Sequence, residues 1–273
     1  MRADLHLHST YSDGWYSPHE ICCIAKARGL ELISITDHDT LNGADEKRLA
    51  AQKHALAYLS GWEISAYDDG QKVHILGYGC KRESAYLEFT KKRKESALLR
   101  AEDSLQKLRF AGIEISMQDV LDLQADKSAP LHTMHLARAI AKRTGESEGE
   151  TYLKYLAPGK MASSKIGRPT PEESIDCIHA CHGIAVIAHP GRIDLPKNEL
   201  ESLIMRLIAY GLDGIESVYT THTERETEYF SALARAKGVL VTGGSDTHVE
   251  DKTHRIGSPA FQASEALLKR LGL

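Results

Sequence analysis

Two histidines stand two residues apart at the end of the first apolar run of the chain. His6 and His8 lie in the stretch ADLHLHSTYSDG, which covers residues 3–14. In a β-strand, residues two apart point to the same face of the sheet, so these two imidazoles would leave the strand side by side. Buried imidazoles need polar partners, and one metal ion can satisfy both rings. The spacing therefore indicates a metal site at the end of this strand.

Further histidines and carboxylates are associated with the other strand-like runs. These candidate ligands are Asp13, His38, Glu63, His74, His189, Asp246 and His248. In parallel α/β folds the carboxyl ends of the strands converge on one face, and functional sites are built there. Histidine and carboxylate ligands without thiolates are typical of Zn, Mn or Fe. Since two four-coordinate ions would need about eight ligands, we expect a centre with more than one ion, and three ions could share bridging carboxylates.

The strand-like runs alternate with helical patterns. Helices are predicted from Ser17 to about Arg28 and over residues 43–57, whereas residues 81–165 show apolar residues at helical spacing and no strand pattern. The predicted strands are ADLHLH, ELISIT, AYLSGWEISA, KVHILGYG, GIAVIAH, LDGIES and VLVTGG. This order predicts a mainly parallel α/β sheet or barrel that is interrupted by a helical insertion.

Composition limits the classes of protein to which the chain can belong. With 273 residues, 42% of them apolar, it can bury a sizeable core in one large domain or in one domain with an insertion. A formal net charge of −4 argues against binding duplex nucleic acid. The N-terminal stretch lacks a signal-peptide apolar region, and five cysteines form no disulfide framework. We therefore expect a cytoplasmic protein that does not contact a membrane.

Six ordered motifs carry a family resemblance over nearly the whole chain. DLHLHSTYSDG, SITDHDT, GWEIS, HILGYG, AHPGR and TGGSDTH together resemble the PHP (polymerase and histidinol phosphatase) family. The resemblance is to its stand-alone metal-dependent phosphoesterases, which include nucleoside 3',5'-bisphosphate phosphatases and 5'-to-3' exoribonucleases. It implies a distorted seven-stranded β/α barrel, TIM-like, with an inserted all-helical subdomain. The barrel would comprise residues 1–80 and 168–273, and the insertion residues 81–167.

The resemblance also implies three divalent metal ions, which would be Mn, Fe or Zn. The first ion would take His6, His8, Glu63 and Asp246; the second would share Glu63 and add His74 and His189; the third would take Asp13, His38 and His248. All nine positions carry acceptable ligands, which argues for an active enzyme and against a non-catalytic binding module.

The expected chemistry is hydrolysis of a phosphomonoester. Three divalent ions and three carboxylates leave a net positive pocket that suits a phosphate dianion. A metal-bridging hydroxide would attack phosphorus in line. The expected substrate is a nucleotide, as a 3',5'-bisphosphate or a monophosphate, or another small phosphorylated metabolite. One alternative is 5'-to-3' exoribonuclease action on short single-stranded RNA. Another is a metal-dependent C–N amidohydrolase, which Glu63 disfavours because it stands where such enzymes usually place a bridging lysine.

Several side chains outside the ligand set are candidates for contacts with the substrate phosphate. Arg192 directly follows the motif of a proposed ligand, and Arg168 is a weaker candidate that could instead help the insertion rejoin the barrel. His222 could bind phosphate or act as the general acid, although a surface position at a helix start is an equal alternative. Asp37 and Asp39 flank a proposed ligand and are expected to support imidazoles.

The stretch TMHLARAI departs from the family pattern. Relatives usually carry Arg-Pro-His here, with the arginine and histidine on substrate phosphate, whereas this chain has Thr133, Met134 and His135. His135 remains a candidate phosphate contact, and His132 or Lys165 could compensate for the missing arginine. The preference between a bisphosphate and a monophosphate therefore stays open, as do the metal identity, the general acid and the oligomeric state.

Overall fold

Two β-sheets form the framework of the protein. The computed structural model describes residues 1–124, 127 and 130–273. The strands are β1 (Arg2–Leu7), β2 (Leu32–Ile35), β3 (Ala57–Tyr58), β4 (Gly61–Asp68), β5 (Gln71–Tyr78), β6 (Ile184–Ile187), β7 (Gly214–Tyr219), β8 (Leu240–Gly244) and β9 (Phe261–Gln262). One sheet has the order β3-β2-β1-β9 and the other the order β4-β5-β6-β7-β8.

Strand direction is mixed, and the sheets do not close into a barrel. The pairs β1–β2, β2–β3, β6–β7 and β7–β8 are parallel, whereas β4–β5, β5–β6 and β1–β9 are antiparallel. Only the isolated bridges Leu7–Thr247 and His38–Glu63 link the two sheets among the described strands. The described strands therefore form a mixed α/β fold of two sheets without a closed barrel, because the ladders at both junctions stop after a single bridge. The expected distorted seven-stranded β/α barrel is not confirmed.

Helices cover the strands and occupy the middle of the chain. They are α1 (Pro18–Ala27), α2 (Ala44–Lys53), α3 (Ser84–Phe110), α4 (Met117–Leu121), α5 (Thr133–Thr144), α6 (Glu148–Thr151), α7 (Pro171–Ala180), α8 (Lys197–Tyr210), α9 (Glu224–Lys237) and α10 (Glu265–Arg270), with a π-helical turn at Tyr152–Leu156 and a 3-10 turn at Pro190–Arg192. Capping boxes start several of them, as at Ser17 with Glu20 and at Thr223 with Glu226. None of the helices in the described part of the chain has the length and apolar character of a membrane span.

The helices between Ser84 and Leu156 pack around an apolar cluster of their own. Leu108, Val120, Leu136 and Ile140 belong to that cluster, and the described residues of 81–165 contain no strand. This segment connects β5 to α7, so it leaves the sheet region and returns to it. The proposed division of the chain after residues 80 and 167 stays a prediction.

Candidate metal centre

The structure brings the candidate ligands together at the junction of the two sheets. Three groups of side chains have ligand atoms that all lie within 4.8 Å of one another: His8, Asp13, His38 and His248; His6, His8, Glu63 and Asp246; and His38, Glu63 and His74. Because His8, His38 and Glu63 each belong to two groups, the groups form one continuous cluster. His189 joins the cluster through its Nε2 atom, which lies 3.0 Å from Oε1 of Glu63.

Local backbone geometry aims the ligands that follow β1, β6 and β8. The N–H of His8 donates to the Thr247 carbonyl at 3.1 Å, and the N–H of Asp246 donates to the His6 carbonyl at 2.8 Å. Asp246 and His189 have φ angles of 52° and 27°. Residues other than glycine rarely adopt such positive φ angles, and they cluster at functional sites where the surrounding structure enforces them. These turns direct both side chains toward the cluster.

Glu63 and His74 reach the cluster by a route that differs from the sequence expectation. Both were expected at strand ends, but Glu63 lies inside β4 and His74 inside the antiparallel strand β5. Glu63 pairs with Leu76 and His74 with Ser65, so Glu63 and His74 are diagonal neighbours on one face of the ladder. His74 Nδ1 lies 2.5 Å from Glu63 Oε1. The sheet surface itself therefore supplies these two groups.

Many buried polar atoms of the cluster make no hydrogen bond to the described residues. They are Nε2 of His6, Nδ1 and Nε2 of His8, Nδ1 of His38, Nε2 of His74, Nδ1 of His189, Oδ1 of Asp13, Oε2 of Glu63 and Oδ1 of Asp246. Native proteins rarely leave so many buried groups unsatisfied in one place. Imidazole nitrogens and carboxylate oxygens are suitable ligands for Mn, Fe or Zn. The residues present therefore fit divalent metal ions.

The cluster itself shifts the pKa values of its members. Burial lowers the pKa of His74 to about 3 and holds that of His38 well below its ordinary value, so both rings are neutral. Although burial acts in the opposite direction, the imidazoles that face it hold the pKa of the Glu63 carboxyl well below its usual range. Burial also opposes protonation of His248, but Asp13 raises the pKa of His248 to about 10. A bound cation would replace that proton.

Glu216 is a supporting residue that the sequence reasoning missed. His6 Nδ1 lies 2.9 Å from Glu216 Oε1, and the N–H of His189 donates to Glu216 Oε2 at 2.8 Å. With its Nδ1–H donated to Glu216, the His6 ring presents Nε2 to the cluster. The sequence feature that could have identified Glu216 is a carboxylate inside the apolar run GIES, because a buried charged side chain must be paired.

Asp37 and Asp39 were expected to support imidazoles, and the structure gives them other partners. Asp37 accepts hydrogen bonds from the N–H and the hydroxyl of Ser9, each at 2.7 Å, and pairs with Lys47 at 2.5 Å. Asp39 accepts from the N–H of Ser65 at 3.0 Å and pairs with Arg93 at 2.7 Å. Asp37 therefore fixes the loop after β1, and Asp39 ties α3 to the site.

A cavity of about 320 Å³ opens beside the cluster. Both arginines proposed as phosphate contacts, Arg168 and Arg192, lie on its wall. Arg192 Nη1 donates to the Tyr219 hydroxyl at 2.9 Å, and that hydroxyl donates to Asp246 Oδ2 at 2.9 Å. Lys72, Arg93 and Arg100 also line the cavity. The sequence did not indicate these residues or Tyr219, because they come from segments far apart in the chain that only folding brings together.

Two of the other proposed phosphate contacts lie off the cavity wall. His135 is buried, and its Nδ1 accepts from the backbone N–H of His132 at 3.0 Å. His222 Nε2 accepts from the N–H of Gly191 at 3.1 Å, and its Nδ1–H donates to the Ser217 carbonyl at 2.9 Å. Both ring nitrogens of His222 are thus engaged, which fits a role in holding the turn after His189.

The stretch that departs from the family pattern does reach the cavity. His132, Thr133 and Met134 belong to its wall, and the His132 ring stacks on that of His38 with 5.0 Å between centroids. Lys165 is exposed and is not among the residues of the wall. Of the two residues considered as substitutes for the missing arginine, only His132 therefore lies at the cavity.

Comparisons with known proteins identify chains similar to this one. A family model described as the PHP domain matches residues 4–145. A 5'-3' exoribonuclease of Haemophilus influenzae is 31% identical over 90% of this chain and 89% of its own length. A 3',5'-nucleoside bisphosphate phosphatase of Chromobacterium violaceum is 33% identical over 90% of this chain and 86% of its own length.

Solved structures show the same similarity. The structure of an amidohydrolase from Chromobacterium violaceum, with bound sulfate and no metal, superposes with a TM-score of 0.85 at 29% sequence identity. The superposition covers 100% of this chain and 96% of that one. A putative metal-dependent phosphoesterase from Bifidobacterium adolescentis superposes with a TM-score of 0.84 at 25% identity and covers 98% of this chain and 96% of its own. The family model, the curated relatives and these structures lead to one conclusion: the chain belongs to the PHP domain family.

Proposed function

We propose that this protein is a metal-dependent phosphoesterase that hydrolyses a phosphate ester of a nucleotide or of another small phosphorylated metabolite. The observation that carries the proposal is the cluster of buried imidazole and carboxylate atoms, beside the cavity, that make no hydrogen bond to the described residues. The relatives named as a bisphosphate phosphatase and as exoribonucleases support the choice of phosphate esters.

We infer that the cluster holds three divalent ions, which would be Mn, Fe or Zn. His6, His8, Glu63 and Asp246 would hold the first ion; Glu63, His74 and His189 the second; Asp13, His38 and His248 the third. The ligand atoms of each group in the structure lie within 4.8 Å of one another, and His8 and His38 each belong to two groups. When bound, such ions polarise the phosphate oxygens and lower the pKa of a coordinated water.

The residues of the chain orient the substrate and hold its charge. Arg192 lies on the cavity wall and is fixed through Tyr219, so its guanidinium can donate to a phosphate oxygen. Tyr219 in turn orients Asp246 by donating to Oδ2 and leaves Oδ1 directed at the cluster. The cavity is of the size that small ligands occupy, about 300–1,000 Å³. His132 and Tyr152, from the segment of residues 81–167 that we propose as an inserted subdomain, line this cavity.

Exoribonuclease action on short single-stranded RNA is the second candidate function, and the name of the Haemophilus influenzae relative favours it. Amidohydrolase action has weaker support. Glu63 is shared by two of the three groups that could hold a metal, so a carboxylate stands at the position where amidohydrolases usually place a bridging lysine. The buried Lys47 pairs with Asp37 and does not join them.

Phosphate release from a substrate panel tests the proposal. Metal-depleted protein would be supplied with Mn²⁺ and assayed for released phosphate on adenosine 3',5'-bisphosphate, AMP and an aryl phosphate, and for released mononucleotide on 5'-phosphorylated RNA. We expect metal-dependent release from at least one nucleotide. Glu63→Gln keeps the side-chain shape but removes the charge that the proposed ions share, so it should lower kcat at least 100-fold.

A matched control separates loss of the site from general damage. His19→Ala removes an exposed imidazole on α1 that lies outside the cluster, and it should keep wild-type rates. The proposal is wrong if folded Glu63→Gln protein turns over as fast as the wild type, or if no phosphate ester is hydrolysed with Mn²⁺, Fe²⁺ or Zn²⁺.

A further inference from the structure

Asp13 lies farther from a strand than the other proposed metal ligands. It stands in the loop that begins after β1 ends at Leu7 and that continues to α1. It belongs to the group of His8, Asp13, His38 and His248, which we call the open group. The side chains of Asp13 and His248 are 11% and 31% exposed, whereas that of His6 is fully buried. The position of Asp13 therefore depends on contacts of this loop and not on a sheet.

Ser9 fixes the loop on both sides of Asp13. The Ser9 carbonyl accepts from the N–H of Ser12 at 3.0 Å and from the N–H of Gly14 at 3.1 Å. A Cβ atom on Gly14 would lie 2.2 Å from the His8 carbonyl oxygen, so this turn packs directly against the chain at His8. The turn that presents Asp13 is therefore only as firmly held as Ser9 itself.

Asp37 holds Ser9 and Ser12 in place. Its Oδ1 accepts from the Ser9 N–H and from the Ser12 hydroxyl, each at 2.7 Å, and its Oδ2 accepts from the Ser9 hydroxyl at 2.7 Å. Only an ionised carboxylate can accept with both oxygens in this way. Because Asp37 is fully buried, its charge needs a cation beside it.

Lys47 of α2 supplies that cation. Its Nζ lies 2.5 Å from Oδ2 of Asp37, and the lysine is 1% exposed. The Lys47 ammonium also lies 5.4 Å from the centroid of the Tyr11 ring, within the range of a cation–π contact. The Tyr11 hydroxyl donates to Glu46 Oε2 at 2.6 Å. Two neighbouring residues of α2 therefore hold the loop that carries Asp13.

We propose that Lys47 is a positioning residue for the proposed metal centre, because through Asp37 and Ser9 it holds Asp13 where the open group can retain a divalent cation. The proposal rests on the proposed function in one respect, which is that the cluster binds such cations. The helix α2 supplies none of the proposed ligands and none of the residues of the cavity wall. Its role is therefore to determine how many ions the centre holds, without contact to an ion or to the substrate.

Metal content measures this role. Lys47→Met keeps much of the length of the side chain but removes the cation, so Asp37 loses its counter-charge and the loop loses its fixed turn. After Mn²⁺ loading and removal of free metal, inductively coupled plasma mass spectrometry should find one equivalent fewer than in the wild type. Anomalous diffraction at the manganese edge should show that the missing ion is that of the open group. Lys53→Met, an exposed replacement on the same helix, is the matched control and should keep the wild-type content.

Two further variants separate positioning from general stability. Ser12→Ala removes one hydrogen bond to Asp37 without leaving a buried charge unpaired, and it should weaken Mn²⁺ binding at the open group about 10-fold. The double variant Lys47→Met with Asp37→Asn contains no unpaired buried charge, so it should regain stability in urea unfolding. It should still lack the ion, because an amide has one acceptor oxygen where the carboxylate used two.

The outcomes distinguish this role from the proposed function. If Lys47→Met selectively loses the ion of the open group but the metal-loaded wild type hydrolyses no phosphate ester, the proposed function fails and the positioning role stands. Wild-type metal content and affinity in folded Lys47→Met and Ser12→Ala would refute the positioning role and leave the proposed function intact. Equal weakening of all ions, or return of the missing ion in the double variant, would show a structural role alone and would also refute the positioning role.

Discussion

Individual side chains around the cluster decide how the proposed ligands are presented. Glu216 contacts His6 through one carboxylate oxygen and the backbone of His189 through the other, and it is fully buried. It therefore fixes the tautomer of the His6 ring and the turn that carries His189. Partners of this kind typically change metal affinity 10–100-fold when they are replaced.

Glu216→Gln should weaken Mn²⁺ binding about 10-fold, because a neutral amide holds the His6 ring less firmly and its single oxygen cannot accept from both the His6 Nδ1–H and the His189 N–H. Competition with a chromophoric chelator would measure the affinity. Glu228→Gln, an exposed replacement on α9, is the matched control and should bind like the wild type. Wild-type affinity in Glu216→Gln would show that this contact does not support the ligands.

His135 makes stability depend on pH. Burial lowers its pKa to about 4, and its neutral Nδ1 accepts from the His132 N–H. In the unfolded chain His135 binds a proton near pH 6.5. The stabilisation of the fold by neutral His135 is therefore fully present above that pH and is lost as the pH falls toward 4. The free energy of unfolding of the wild type relative to His135→Asn should fall by roughly 3 kcal/mol between pH 7 and pH 4. Urea unfolding at several pH values measures this difference, and a constant difference would contradict the assignment.

At the scale of elements, the ion pair between Arg93 and Asp39 connects α3 to the loop after β2. Both side chains are buried, and Arg93 Nη2 lies 2.7 Å from Asp39 Oδ2. Removing one partner of a buried pair leaves an uncompensated charge, which costs more than removing both. The pair therefore holds α3 at the site.

Arg93→Met should lower the free energy of unfolding by about 3–5 kcal/mol, and the double variant Arg93→Met with Asp39→Asn should lower it by less. Urea denaturation followed by circular dichroism provides both values. Arg48→Met breaks an exposed pair with Asp45 and should have little effect. Equal losses in the single and double variants would contradict a coupled buried pair.

The elements that carry the site were largely predictable from the sequence, but their pairing was not. The periodicity predicted β1, β2 and β5, and the helical character of residues 84–110, because these patterns are local. The run AYLSGWEISA divides into β3 and β4, and β5 runs antiparallel to β4. Strand direction depends on which segments become neighbours, which local periodicity does not encode.

The same limit applies to the site. The nine candidate ligands could be identified because their residue types follow or lie in apolar runs, and the structure brings them together. Glu216 is 210 residues from His6 in sequence, so no spacing pattern connects them. Asp37 was expected to support an imidazole, whereas in the structure it pairs with Lys47, a partner that follows from the packing of α2.

At the scale of the molecule, the proposed ions would join the two sheets. His6 lies in β1 of the four-stranded sheet, and His8 directly follows that strand. Glu63 lies in β4 of the five-stranded sheet, and Asp246 follows its strand β8. The backbone ladders between the two sheets consist of single bridges among the described residues. Ligands that bind the folded state alone stabilise it by mass action, so metal loading should stabilise the whole fold.

Metal loading should therefore raise Tm by several degrees, because a free ion at 100 times its Kd adds about 2.7 kcal/mol to stability. Differential scanning calorimetry of metal-depleted protein with and without Mn²⁺ would measure this shift. Glu63→Gln should show a smaller shift. Equal Tm values for depleted and loaded wild-type protein would contradict ions that connect the sheets.

Divalent cations should bind where β1, β4, β5, β6 and β8 meet. Anomalous diffraction at the manganese edge, from crystals of metal-depleted protein soaked in Mn²⁺, tests it most directly. We expect peaks within coordination distance of the groups that contain His8, Glu63 and His74, and loss of the peak shared by Glu63 in Glu63→Gln. A map without anomalous density at this junction, at saturating Mn²⁺, would contradict the claim.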